Sequence, residues 1–266
     1  MENHCRGLLL VCCLLLLNIS FTNAQTEPES LRVIQHNAFT VGEKLVFDVK
    51  YSFITAGEAV FLVDSIIRFG ERDCYRIVAT VQSTPTFSWF YKVDDLYETI
   101  IDYQGMFPWR FTQRLREGSY KNDFEAWFDQ INHIAYTEKG NYRTPNYVYD
   151  AVSAFFYVRT LDFSHFKPGE KIYLNNFYKD STYLLAVKFL GFERVSVSAG
   201  TFDTFIVEPL VKEGGLFKNE GRILIWLTND EKKIPVKVNT KIVVGSINAE
   251  LREYHGVQEP ITAKVK

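Results

Sequence analysis

From Lys44 to Phe69 the chain reads KLVFDVKYSFITAGEAVFLVDSIIRF, two stretches in which apolar and polar side chains alternate. Leu45, Phe47, Val49, Tyr51 and Phe53 fall on one face, and Lys44, Asp48, Lys50 and Ser52 on the other with Val46. A period of two with one polar face defines a strand of an antiparallel sheet packed on one side only. The pattern recurs in CYRIVATVQS, in DDLYETIIDYQGMFPWRFTQRLREG, in SYKNDFEAWFDQ and INHIAYTEKG, and in every segment from Lys171 to Tyr254, with glycine or asparagine at the breaks. Gly57, in TAGE, is expected at the first tight turn, where glycine accepts positive φ without a steric cost.

Two segments leave the pattern. TPTFSWFYKV has clustered aromatics without alternation and fits a short helix or a covering loop. TPNYVYDAVSAFFYVRTLDF is helical, with Thr144 expected as N-cap and Pro145 at the first helical position. Val148, Ala151, Val152, Phe155, Phe156 and Arg159 occupy one side, yet Tyr149, Ala154, Tyr157 and Val158 keep the other apolar. A helix apolar nearly all round is buried on most sides. The expected fold is therefore mainly β: a single strongly curved antiparallel sheet, or open barrel, wrapped around one buried helix.

The N-terminus reads as a secretory signal. Arg6 precedes the apolar run Leu8–Leu17, and polar residues lead to Ala24, a small residue suited to cleavage. The run falls short of the roughly 20 residues that cross a bilayer. Cys12 and Cys13 raise the rival of a lipid-modified lipoprotein leader, but Leu10 and Val11 stand where small residues belong, so a soluble exported protein is favoured. The expected organisation is a signal over 1–24, a flexible segment over 25–38, one β-rich domain over 39–255 and a frayed tail over 256–266. Removal of the leader leaves Cys74 as the single cysteine, expected to be buried and inert. The 30 basic and 32 acidic side chains are interspersed, which argues against nucleic acid as a partner.

Motifs that carry chemistry are sparse. No nucleophile elbow, zinc-binding His pair, phosphate-cradling loop or dinucleotide fingerprint occurs, and no cofactor or metal is implied. Ser164 and Lys167 match Ser-x-x-Lys, a two-position pattern that arises by chance. Asp94, Asp95 and Glu98, and Asp123 with Glu125, offer paired carboxylates of the kind glycoside hydrolysis needs, or merely a wet strand face. Aromatic side chains make up 15% of the chain. They cluster as Phe87, Trp89, Phe90 and Tyr91, as Phe107, Trp109 and Phe111, and as Phe124, Trp127 and Phe128, and either line a cavity or fill a core. In GRILIWLTNDEKKIPVKV, alternation puts Trp226 on a covered face, Asp230 in a turn and Pro235 at a strand start.

The ordered motifs are similar to those of the domain of unknown function 3108 family. They comprise Gly42 and Glu43 in GEKL, Gly57 in AGEA, Pro108 after an aromatic, Asp150 to Arg159 on the helix, Val195 to Gly200 followed by Thr201 and Phe202, and Trp226, Asp230 and Pro235. The resemblance runs from about Phe39 to Leu251. It implies an exported bacterial envelope protein with a barrel-like fold similar to YmcC-like lipoproteins, and it transfers no catalytic residue.

The expected function is therefore a non-enzymatic periplasmic or envelope protein. It would bind an apolar or amphipathic ligand, lipid or glycan, or act as a scaffold in envelope or surface-polysaccharide assembly. Trp89, Tyr91, Trp109 and Trp127 are the candidate ligand-facing aromatics, with Phe217 at the tip of the EGGLFKNEG loop. A glycan hydrolase built on a carboxylate pair, or a module that pairs a strand edge with an envelope protein, are the alternatives.

Overall fold

A computed structural model describes residues 31–52, 54–211, 221–241 and 245–265. The expected signal over 1–24 and the candidate Phe217 lie outside the described residues.

The first half is a meander of β1 (Lys44–Tyr51), β2 (Ile54–Phe69), β3 (Arg72–Ser83), β4 (Asp94–Asp102), β5 (Pro108–Glu117), β6 (Tyr120–Asp129), β7 (Ile134–Thr137) and β8 (Gly140–Arg143), with a one-turn helix α1 (Pro85–Ser88) before β4. A short β9 (Val148–Tyr149) leads into α2 (Ala151–Arg159). The second half is β10 (Lys171–Tyr178), β11 (Ser181–Val197), β12 (Gly200–Val211), β13 (Ile223–Thr228), β14 (Pro235–Lys241), β15 (Ser246–His255) and a closing β16 (Lys264–Val265). Antiparallel pairing of β1 with β15 fuses the halves into one sheet, ordered β8-β7-β6-β5-β4-β3-β2-β1-β15-β14-β13-β12-β11-β10-β9, with β16 on β12. The sheet is barrel-like but not closed, with β8 and β9 at its ends.

Alternation decides its two faces. The convex face carries cross-strand ion pairs: Arg252 joins Asp48 and Glu58, Arg76 joins Asp64, and Arg116 joins Asp123. Each such pair contributes little to stability. Together they show a surface made for water, because strands that face lipid carry an apolar band instead. Among the described residues no helix is long and apolar enough to cross a membrane.

The concave face is apolar and holds α2. Val152 and Phe156 pack with Ile77, Ile101 and Phe128 of the first half. Ala154 and Val158 pack with Phe205 and Leu227 of the second. One helix touched by both halves of a curved sheet has no side left for polar residues, which explains the apolar circumference of its sequence.

Several local expectations are corrected. The helix starts at Ala151, not at Pro145: Tyr147 has φ 54°, and Val148 and Tyr149 pair with Asn176 and its neighbour as a parallel strand. Its cap is Asp150, whose Oδ1 accepts from the backbone N–H groups of Val152 and Ser153, while Ser153 Oγ accepts from the Asp150 N–H. This reciprocal cap outweighs the proline signal. Gly57 is not at the turn; it lies inside β2, and the turn falls at Ser52. A Cβ at Gly57 would stand 2.6 Å from the Gln82 carbonyl oxygen, so glycine is needed there for the close approach of two strands.

Both terminal segments are tied down more firmly than expected. In the described part of 25–38, Arg32 donates to the Gly105 and Met106 carbonyls and lies over the rings of Tyr147 and Tyr157, and Ala38 is buried. The tail over 256–266 buries Ile261 and Ala263 and ends as β16 against Thr201 and Phe202. Isolated apolar side chains in a polar segment carried too little periodicity to signal this docking.

Candidate functional site

At one end of the sheet the interior is braced by a buried polar network. Arg159, fully buried at the C-terminus of α2, donates from Nη1 to Glu43 Oε1 (2.6 Å) and from Nη2 to Glu43 Oε2 (3.0 Å). It also donates to the carbonyls of Ala38, Lys232 and Lys233. Those lysines belong to the β13–β14 turn, where Asp230 Oδ1 accepts from Thr228 Oγ1 and the Lys232 and Lys233 N–H groups. Asp230 Oδ2 accepts from the Ala263 N–H and so ties in the tail. Residues far apart in sequence thus converge: Glu43 before β1, Arg159 on α2 and Asp230 in the turn. Gly42 (φ 90°) and Gly200 (φ 136°) make the neighbouring turns, Pro235 opens β14, and Trp226 is buried with its Nε1 donating to Glu193. His36 lies against this network, and its pKa is lowered to about 4 by burial and by the charges of Arg159 and Lys233.

The opposite end is open. There Tyr51, Gly57, Val81, Val93 and Ile247 surround a concave space of about 380 Å³. Deeper in, Phe47, Ala59, Phe61, Ile223, Val238 and Ala249 line a second space of about 260 Å³. A third, of about 150 Å³, lies between α2 and Leu185, Val187 and Val207. Phe155, Pro209 and Ile225 line both inner spaces, which makes them one apolar groove along the helix. Aromatics fill only part of the interior: Phe156 and Phe177 are fully buried, whereas Phe61 and Phe155 keep exposed surface beside the groove.

The candidate aromatics do not converge. Tyr91 lines the open mouth, and Trp89, just before it, is 93% exposed. Trp109 and Trp127 meet elsewhere, on either side of Phe69, with ring centroids 6.2 and 5.7 Å from it. Trp109 Nε1 donates to Asp102 (3.1 Å), and the Arg110 guanidinium lies 4.8 Å from the Trp127 ring. Burial works against charge on Asp102, but the Arg72 guanidinium, the Gly105 N–H and the Trp109 indole outweigh it and hold the carboxyl below its ordinary value. Trp109 is thus held on the convex side, while Trp127, 43% exposed, also lines a polar space of about 690 Å³ with Arg110, Glu125 and Tyr136. The groove-lining Phe155, Ile225 and Ala249 were not singled out from the sequence, where they are ordinary members of an alternating or helical pattern.

The acidic residues separate by face. Glu98 pairs with Arg76, Asp123 with Arg116 and Glu125 with Arg110, and exposed Asp94 accepts from Gln82. Asp95, one position on, points inward and is buried at the mouth, accepting the Arg116 N–H (2.7 Å) and sharing a hydrogen bond with Glu117. Burial raises its pKa, with the neighbouring Asp94 charge adding to the effect against those hydrogen bonds. Glu117 was missed because it ends its strand as a lone acid before Gly118. Cys74 is fully buried, and its thiol is pushed up to about 12 by burial and the nearby Asp102 charge, as befits an unreactive side chain.

Fold and site define an open, barrel-like antiparallel β protein with a helix across its interior and an apolar groove beside that helix. Residues 46–252 match the family described as Protein of unknown function (DUF3108), and the chain belongs to it. Similar solved structures include a β-barrel-like protein of domain of unknown function DUF1849 from Brucella abortus, with TM-score 0.54 and 9% identity over 86% of this chain and 100% of that one. They also include a candidate exported protein with a YmcC-like fold from Bacteroides fragilis (TM-score 0.32, 13% identity, 85% of this chain and 100% of that one). A candidate lipoprotein from Parabacteroides distasonis matches with TM-score 0.36 and 11% identity over 85% of this chain and 100% of that one. At 9% identity the likeness to the Brucella abortus protein is one of fold. No curated protein matches the sequence.

Proposed function

We propose that this chain is an exported envelope protein that holds an apolar or amphipathic molecule, by its hydrocarbon part, in the concave groove along α2, without transforming it. The observation that carries the reading is the continuous apolar lining of the two inner spaces joined at Phe155, Pro209 and Ile225. Binding sites of this kind are concave and mostly apolar, with few polar groups to fix orientation. The leader-like Leu8–Leu17 run supports export. Asp95 and Glu117 at the mouth do not favour a glycosidase. Their direct hydrogen bond leaves no room for a sugar between two carboxyl groups, which such enzymes hold about 5 Å or more apart.

Native mass spectrometry after gentle purification from an envelope fraction tests the reading. A lipid-sized adduct released on denaturation is the expected result; protein that is uniformly free, and stays free after incubation with envelope lipid extract, would overturn it.

A further inference from the structure

The concave mouth lined by Val49, Tyr51 and Ile247 lies at the end that, among the described residues, carries the most exposed aromatics. Thr84, the single residue between β3 and α1, donates its N–H to the Ala56 carbonyl, so the α1 segment sits on the rim beside the start of β2. From that rim project Trp89, 93% exposed, and Phe90, 82% exposed, while Tyr91 turns in to line the mouth. Ile54 (52%) and Ile247 stand exposed on neighbouring strand ends, and Tyr120, also exposed, begins β6 at the same end. The Gly118 N–H bonds to the Lys92 carbonyl, which brings the β5–β6 turn against the α1 segment. Lys92 and Lys121 are exposed in this cluster and form no ion pair with a carboxylate among the described residues.

A four-residue helix followed by a Trp-Phe pair is a projection and not a flat face. A stable protein interface needs roughly 800 Å² of complementary surface on each partner, which such a projection does not offer. A bilayer has no such requirement: tryptophan and tyrosine settle at the level of the headgroups, phenylalanine and isoleucine reach the acyl boundary, and lysines meet anionic phosphates. The convex wall carries cross-strand ion pairs, which suit it less to this contact than the rim. Val49 of the mouth pairs across strands with Ala249 of the groove, so the two apolar spaces lie next to each other.

We propose that the rim formed by Trp89, Phe90, Ile54, Tyr120, Lys92 and Lys121 docks the protein, mouth down, on an anionic phospholipid surface. This rests on the reading of the groove as a hydrocarbon site, since it supplies the route by which a chain passes from bilayer to groove without crossing water.

Sedimentation with vesicles of phosphatidylethanolamine and phosphatidylglycerol tests it, using the leader-free protein, Trp89→Ser/Phe90→Ser, Lys92→Gln/Lys121→Gln and the groove variant Ala249→Trp. The parent should partition onto the vesicles with a blue shift of tryptophan emission. The aromatic pair change should weaken partition by about tenfold or more, the lysine change should weaken it only at low salt, and Ala249→Trp should leave it intact. All variants are checked for parental melting temperature, and for uptake of a monomeric fluorescent fatty acid without vesicles. Loss of vesicle partition with intact fatty-acid uptake in Trp89→Ser/Phe90→Ser supports the docking rim. A parent that ignores vesicles yet takes up fatty acid overturns the rim alone; a parent that takes up neither overturns the groove as well. Equal partition of parent and aromatic variant also overturns the rim.

Discussion

Arg159 and Glu43 form a two-bond ion pair in the core, 2.6 and 3.0 Å between their atoms, from positions 116 residues apart in sequence. The pair joins the C-terminus of α2 to the lead-in of β1, and the remaining Arg159 donors hold the carbonyls of the Asp230 turn. Removing one partner strands a buried charge, which costs about 3–5 kcal/mol, whereas replacing both with apolar groups of similar size is often close to neutral. Glu43→Gln and Arg159→Met should each lower the urea midpoint sharply. The double variant Glu43→Leu/Arg159→Met should recover part of the loss.

His36 gives the fold a specific acid sensitivity. Its pKa of about 4 in the fold lies below the ordinary value of 6.5, so protonation favours the unfolded chain. Stability from this residue is whole above pH 6.5 and is lost as pH falls from there toward about 4. In His36→Gln the thermal midpoint should depend less on pH across that window than in the parent. A parallel pair of curves would remove His36 as the cause.

Asp95 acts in the other direction. Its raised pKa means that the fold favours the protonated carboxyl, so stability present at low pH is lost as pH rises through that raised value. Asp95→Asn keeps an oxygen for the Arg116 N–H and removes the charge. It should melt higher than the parent at neutral pH, with the difference closing below the ordinary carboxylate value of 3.8.

Gly57 tests the geometry of the sheet. Alanine there forces β2 and β3 apart at the Gln82 carbonyl, an overpacking of about 1–3 kcal/mol. Gly57→Ala should lower the denaturation midpoint, while Gly70→Ala, where a Cβ meets no neighbour but φ is 58°, should cost only about 1 kcal/mol of backbone strain.

Alternation carried most of this fold. It assigned the faces of β1 and β13, placed the one buried helix and marked the Asp230 turn, because each is a local pattern with a single physical meaning. What it did not carry was set by distant contacts. The Asp150 cap won over Pro145 through a parallel pairing with β10. Gly57 answered a carbonyl on another strand. Arg32 and Ile261 docked segments whose sequences are polar. The groove was harder still, since Phe155 and Ile225 come to line open space only because the sheet curves past α2 without filling it. Trp109 and Trp127 pack about Phe69 with Asp102 and Arg110 on the other face, where Trp127 also lines a space of about 690 Å³.

The central claim is that the space beside α2, and not the convex indole cluster, receives the hydrocarbon. Titration of a fluorescent fatty acid into the leader-free parent, Ala249→Trp and Trp127→Ala measures it directly. Ala249 lines the groove, so a tryptophan there fills it. Saturable binding by the parent and Trp127→Ala, weakened about tenfold or more in Ala249→Trp with its melting temperature retained, is the result predicted. Absence of saturable binding, or equal binding by parent and Ala249→Trp, would contradict it.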